Sequence, residues 1–304
     1  MPAGDEPGWG DCNLLLDLPT GAVNFSRISA GQSASLAHAY ARFVSADPQL
    51  RANSVNCRAF QLPGPLQTDP ELLSVDGLYT PLKVRSERGI ELSGVNFLAR
   101  LPAQGSRGEA CLGVAAEHEL AGPNVVENFL RVLAAHRGLE LGGAVLHSAG
   151  LVFDEQAYIF VGRSNAGKTT LTRKAHQHGA MVLSDDINLL LPKAGGYQAY
   201  AIPFTGEYGR SLEHAAASPS YPVAGIILLQ QARGLGVTRP GAASAIASLM
   251  VGCPFVNTDE RETNTLLDNL ERLVATVPVI QLQNRLENSM SEILSAVTNA
   301  LSHA

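Results

Sequence analysis

One segment limits what this chain can fold into more than any other. Residues 157–161, Ala-Tyr-Ile-Phe-Val, form an apolar, β-prone run that stops at Gly162-Arg163-Ser164-Asn165-Ala166-Gly167-Lys168-Thr169. Those residues fit GxxxxGK[ST] in full, and no glycine follows until Gly179, so a helix can start at Thr169. Strand, glycine loop and helix in that order predict an α/β sheet with the loop at the C-terminal end of a strand. Gly162 and Gly167 let the backbone turn tightly, and the free N–H groups of loop and helix start then face a bound anion. Lys168 is predicted to set its ammonium on the β- and γ-phosphates of a bound nucleotide, and the Thr169 hydroxyl to bind Mg²⁺. The predicted nucleotide-binding residues are Gly162, Arg163, Ser164, Asn165, Ala166, Gly167, Lys168, Thr169 and Thr170. Arg163 is expected to face solvent rather than take part in chemistry.

The basic residues sharpen this reading. Of 22 lysines and arginines only Lys83, Lys168, Lys174 and Lys193 are lysines. A lysine between Gly167 and Thr169 is therefore hard to regard as background. After the predicted helix, Met181-Val-Leu-Ser184 reads as a strand running into Asp185-Asp186. A strand in that position delivers its carboxylates to the sheet edge where ligands of open α/β sheets sit. One Asp would hold Mg²⁺ and the other would take a proton from an attacking hydroxyl; the spacing does not distinguish them. Arg210, in the loop-like stretch after Pro203-Phe-Thr-Gly206, is a candidate to reach the transferring phosphoryl group. His176 and His178, two apart on a helix, are poor metal partners, and Glu117-His118-Glu119 reads as surface.

Upstream, 144–153 is an apolar strand carrying His147. Together, His147-Ser-Ala-Gly-Leu-Val, the loop with its flanks, and His178-Gly-Ala-Met-Val-Leu-Ser-Asp-Asp186 resemble the catalytic core of HPr kinase/phosphorylase. The resemblance spans residues 147–186. ATP-type phosphoenolpyruvate carboxykinase shares this kind of nucleotide core but is a longer enzyme. The resemblance implies an ATP- and Mg²⁺-dependent kinase acting on a hydroxyl, a serine of a protein or peptide, and it allows a homo-oligomer. In it Lys168 matches the loop lysine, Thr169 the metal-binding hydroxyl, Asp185 and Asp186 the acidic pair, and His147 the histidine near the transferred phosphate. Two features depart from the family. Thr170 stands where the family has an acid, and the family's later Glu-containing, Gly-rich signature has only Gly206-Glu-Tyr-Gly-Arg210 as its nearest counterpart. A relative of the kinases found beside peptide-modification systems fits better than HPr kinase itself. The alternatives are a nucleotide-binding regulatory or scaffold protein and a plain NTPase.

The rest of the chain bounds this picture. With 304 residues, 45% of them apolar and 16% charged, two folded domains are expected. The texture changes near residue 122. Residues 1–122 predict a smaller α+β domain for substrate recognition or oligomer contacts, and 123–304 an α/β nucleotide domain. In the first, strands are expected at 14–18 and 22–26 and a helix at 35–44 capped by Ser33 or Ser35. A helix over 124–137 should close at Gly138, and a leucine-faced helix over 260–275 should pack into the core. A net charge of −6 argues against nucleic acid as a partner. Cys12, Cys57, Cys111 and Cys253 show no metal or disulfide spacing. With no membrane-length apolar run and no signal pattern in the first eleven residues, which read as a flexible lead-in, the expectation is a cytoplasmic protein.

Overall fold

The computed structural model describes residues 6–66, 82–85, 90–94, 96–102, 108–120, 125–163, 165–210, 212, 219–257 and 262–302. The chain divides into two compact units, Met1–Arg137 and Gly138–Ala304. The division falls later than the change of texture near residue 122, inside a helix described below.

In the first unit, β1 (Cys12–Leu16) and β2 (Val23–Ile28) stand near the two expected strands and pair as an antiparallel hairpin. Helix α1 is Ala30–Ala39, several residues earlier than predicted. Its start is set by Ser29, whose side chain accepts from Gln32 N–H while the Gln32 side chain accepts from Ser29 N–H. That reciprocal capping box outweighs the later serines. The first described residues are not a loose lead-in, since Trp9 N–H donates to Arg27 O and Gln61 N–H to Pro7 O. Then follow β3 (Val44–Ser45), α2 (Pro48–Ala52), β4 (Val55–Gln61), β5 (Leu82–Arg85), β6 (Ile90–Gly94), β7 (Phe97–Leu101) and β8 (Glu109–Val114). These strands form a mixed sheet in the order β3-β1-β2-β4-β8-β7-β6-β5, parallel only at β2–β4 and β4–β8. Glu117 is more than surface: its carboxylate accepts from Ser29 Oγ and its carbonyl from Gln32 Nε2.

Helix α3 (Val126–Glu140) runs through Gly138 and ends two residues later; Gly142, at φ +79°, makes the turn instead. The second unit continues with β9 (Ala144–Phe153), β10 (Gln156–Val161), α4 (Lys168–Gln177), β11 (Met181–Ser184), β12 (Ile187–Lys193), β13 (Gly196–Tyr200) and α5 (Glu207–Arg210). After these come β14 (Ser220–Gln231), β15 (Gly236–Thr238), α6 (Ala242–Val251), α7 (Thr263–Thr276), β16 (Val279–Asn284) and α8 (Met290–Ser302). The strand order is β10-β9-β12-β13-β14-β16-β15, with β11 on β9 and a further β10–β14 pairing. Only β10–β14 and β14–β16 are parallel. Alternate residues of β9, β10, β14 and β16, among them Leu151, Phe160, Ile227 and Ile280, point to one face. Leu171 and Ala175 of α4 and Met290, Ile293 and Val297 of α8 cover it.

Helix α7 carries the expected leucine stripe, with Leu266, Leu270 and Leu273 buried. Asn269 interrupts the stripe, 1% exposed, and its Nδ2 donates to Leu139 O at 2.8 Å and Gly143 O at 3.0 Å. It ties the last turn of α3, where Leu139 O also accepts from Gly142 N–H, to Gly143 just before β9. Replacing it with Asp, of the same shape but without the donors, is expected to destabilise by about 2 kcal/mol or more. Urea unfolding compared with the parent tests this; an unchanged midpoint would mean those carbonyls do not depend on Asn269.

Candidate functional site

Strand register assembles the site. Antiparallel pairing sets Val161, the last residue of β10, opposite Ser148, so the glycine loop leaves the sheet beside the middle of β9. Strand β11 is also antiparallel to β9 and ends with Ser184 paired to Gly150, at the same edge. Strand β12 then begins with Ile187 opposite His147. Loop, acidic pair and His147 thus meet at one edge, although they come from separate stretches of chain.

The loop itself follows from its residues. Gly167, at φ +99°, occupies the left-handed region immediately before α4, which any side chain would disfavour. Asn165 is left-handed too, at φ +63°, and its carbonyl accepts from Gln231 Nε2 at 2.8 Å. Arg163 is exposed, as expected, and Ser164 lies outside the described residues. Ala166 is half-buried, with its N–H donating to Arg163 O. Thr169 is exposed on the first turn of α4, and Thr170 is half-buried.

Lys168 does not extend into solvent. Its residue is 7% exposed, and Nζ donates to Gly162 O at 2.6 Å and Arg163 O at 3.0 Å. Burial drives its pKa from 10.5 down to about 8, while the negative charge of Asp186 acts in the opposite direction.

The adjacent aspartates do different things. Asp186 Oδ1 lies 3.3 Å from His147 Nδ1, and both side chains are nearly buried. Asp185 faces the other way: Oδ1 accepts from Gly206 N–H at 2.7 Å and Oδ2 from Tyr208 N–H at 3.1 Å. The backbone wraps closely around it, since a Cβ on Gly209 would lie 2.5 Å from Asp185 Oδ1. Asp185 therefore holds the turn that carries Arg210, which is exposed at the end of α5. The Tyr208 ring of that turn is held against α4, with its hydroxyl 3.1 Å from His176 Nδ1 and Arg173 Cζ 5.5 Å from the ring centre.

Two supporting residues escaped the sequence reading. Ser184 Oγ donates to Phe204 O at 2.7 Å and accepts from Asp186 N–H at 3.1 Å, a local turn that the Ser-Asp-Asp order signals. Asn188, inside an apolar strand, donates to Ser148 O at 2.8 Å and Ser148 Oγ at 3.0 Å beneath the site. Among the described residues, no three His, Cys, Asp or Glu side chains are grouped to hold a metal ion. No described helix is long and apolar enough to cross a membrane.

A family described as "SynChlorMet cassette protein ScmC" matches residues 124–297, more than half of the chain and the whole site. The chain belongs to the ScmC family. Among solved structures, the Hpr(Ser) kinase/phosphatase from Coxiella burnetii aligns at 13% identity with a TM-score of 0.31, covering 51% of this chain and 95% of that one. No curated protein matches the chain.

A buried lysine with a lowered pKa has a definite linkage. Below about pH 8 the native state bears the full cost of the desolvated ammonium. Between that pH and the ordinary 10.5 the folded chain binds fewer protons than the unfolded one, so this group's contribution to stability rises with pH. With four lysines in the chain, a ¹³C-lysine NMR titration resolves each one. One resonance is expected to titrate near pH 8 and to vanish in Lys168→Met; a Lys168 resonance titrating at 10.5 would overturn the burial argument.

Proposed function

We propose that this ScmC-family protein is an ATP- and Mg²⁺-dependent kinase that transfers the γ-phosphate to a hydroxyl, a serine of a protein or peptide substrate. The observation that carries the reading is Lys168. Its ammonium is buried on the carbonyls of its own glycine loop, beside the buried Asp186–His147 pair. A cation kept partly dehydrated at a helix start is what a polyphosphate chain would recruit. In this reading the chain from residue 123 onward forms a nucleotide domain of the HPr-kinase and phosphoenolpyruvate-carboxykinase type. Residues 1–122 recognise substrate or make oligomer contacts.

The roles divide by environment. Asp186 is the base for the attacking hydroxyl, with His147 holding its carboxylate in place and compensating developing charge. Lys168 stabilises the transferring phosphoryl group. Asp185 is spent on the backbone of 206–208 and acts by positioning Arg210 toward the phosphoryl group. Thr169 would hold Mg²⁺ directly and Asp186 would reach the ion through a bound water, which leaves its carboxylate able to take the proton. An all-oxygen set with one protein carboxylate suits a magnesium site completed by phosphate and water. Bound there, the ion would offset charge on the phosphate oxygens. The family name, a cassette protein, supports an acceptor encoded alongside this chain.

Phosphoryl transfer from ATP to products of neighbouring genes, followed by mass spectrometry, tests the assignment. Lys168→Ala is expected to lose ATP binding. Asp186→Asn should keep binding and lose transfer by roughly 10²- to 10⁴-fold. If Asp186→Asn leaves the protein's function intact, nucleotide is a regulatory ligand; phosphate release at the same rate without an acceptor would mean an NTPase. A second measurement uses the Lys168 pKa of about 8. A polyanion raises it, so ATP binding at pH 8 should take up protons and weaken as pH rises further. Calorimetry in buffers of different ionisation enthalpy checks this, and no proton uptake would count against Lys168 meeting the phosphates.

A further inference from the structure

The glycine loop has a different neighbour on each side. Strand β10 carries β9 on one edge and β14 on the other. His147 and Asp186 belong to the β9 side. On the β14 side lies an open cleft of about 230 Å³, lined by Gly167 and Thr170, by Gln231 at the end of β14, and by Asn284, Arg285 and Leu286. Lys168, His147, Asp185 and Asp186 do not line it. A nucleotide whose phosphates lie across the loop has two ends to place. If the γ-phosphate goes toward Asp186, the nucleoside leaves toward β14 and β16.

The chemistry of the cleft suits that end. Leu286 is 67% exposed, one of five exposed large apolar side chains among the described residues. An apolar side chain left in water at the rim of a cleft gains by covering a flat ring. The wall that presents it is already fixed. Lys174, on α4, donates from Nζ to Leu286 O and to Asn288 O, the latter at 2.7 Å. Asn288 Nδ2 donates to Asn284 Oδ1 at 2.8 Å, and Ala232 N–H to Asn284 O at 2.9 Å. Opposite, Gln231 is tied to the loop through Asn165 O, so both walls are braced to the loop and its helix. A wall ordered before binding lowers the entropy cost of recognition. The volume falls below that of pockets enclosing a whole drug-sized ligand, which fits a site for part of a nucleotide.

We propose that this cleft receives the nucleoside of the nucleotide, with Leu286 packed on the base and Lys174 as the residue that positions the Leu286 wall. The proposal rests on the phosphate-loop reading above, and the test separates the two. Affinities of the full chain for ATP, GTP and inorganic tripolyphosphate are measured with Mg²⁺ by calorimetry. The parent is expected to bind one nucleotide at least roughly tenfold tighter than tripolyphosphate, the effect of one buried apolar contact. Leu286→Ser should remove that advantage and leave tripolyphosphate affinity unchanged, and Leu286→Phe should restore it. Because residue 286 is exposed and uncharged, the tripolyphosphate affinity also reports that the variant is folded. If Leu286→Ser keeps the parent's preference, or the parent binds tripolyphosphate as well as either nucleotide, the cleft is not the nucleoside site. If the parent binds none of the three, the phosphate-loop reading itself falls, and this proposal with it.

Discussion

The register of β9 is the constraint on which the site depends. Its first half is bonded to β12 and its second half to β10 and β11, so one strand measures out the positions of three others. Ser148 opposite Val161 fixes where the loop begins, and His147 opposite Ile187 fixes where Asp186 stands. Because strand side chains alternate, a slip of one residue would turn His147 to the other face and part it from Asp186. Ser148 and Asn188 oppose such a slip. The Ser148 N–H donates to Asp186 O, and the Asn188 amide donates to both oxygens of Ser148. These are buried polar contacts in an otherwise apolar layer, where an unmade hydrogen bond is costly and the correct register is the one that makes them.

That rigid edge explains how a cation can be kept under tension in the loop. Lys168 loses most of its hydration, and the two loop carbonyls return only part of it, hence the fall to about 8. The Asp186 charge keeps it from falling further. A lysine free in solvent would be charged and stable but indifferent to an incoming phosphate. A lysine fully paired with a carboxylate would be satisfied and equally indifferent. The observed state lies between these, with the ammonium bonded to neutral acceptors that an anion can outcompete.

Much of this was legible in the sequence because it is written locally. The strand–loop–helix segment and the Met181–Ser184 strand stand where residue pattern put them. What escaped was set at a distance or by competing local signals. The start of α1 was misjudged because three serines offer caps and only Ser29 has Gln32 in reach to reciprocate. Strands β12 and β13 went unassigned: Pro192 interrupts the pattern of the first, and the hairpin is secured by pairing rather than propensity. Gln231 and Asn165 are 66 residues apart, and nothing in either neighbourhood announces their bond.

The acidic pair shows the limit most clearly. Asp185 and Asp186 are the same residue side by side, and spacing gives no ground for telling them apart. They differ because they follow the end of β11, where the chain turns into β12 around Ser184, so neighbouring side chains diverge. One meets backbone N–H groups from Gly206 and Tyr208, the other an imidazole. With its two oxygens each bonded to a backbone N–H, Asp185 anchors the 206–208 turn. Asp186 instead stands with its Oδ1 beside His147, close enough to Lys168 for its charge to act on the ammonium. The division of labour therefore comes from which groups the turn brings to each oxygen, and the glycines at 206 and 209, which let the backbone close on Asp185, matter to the site as much as the acids themselves.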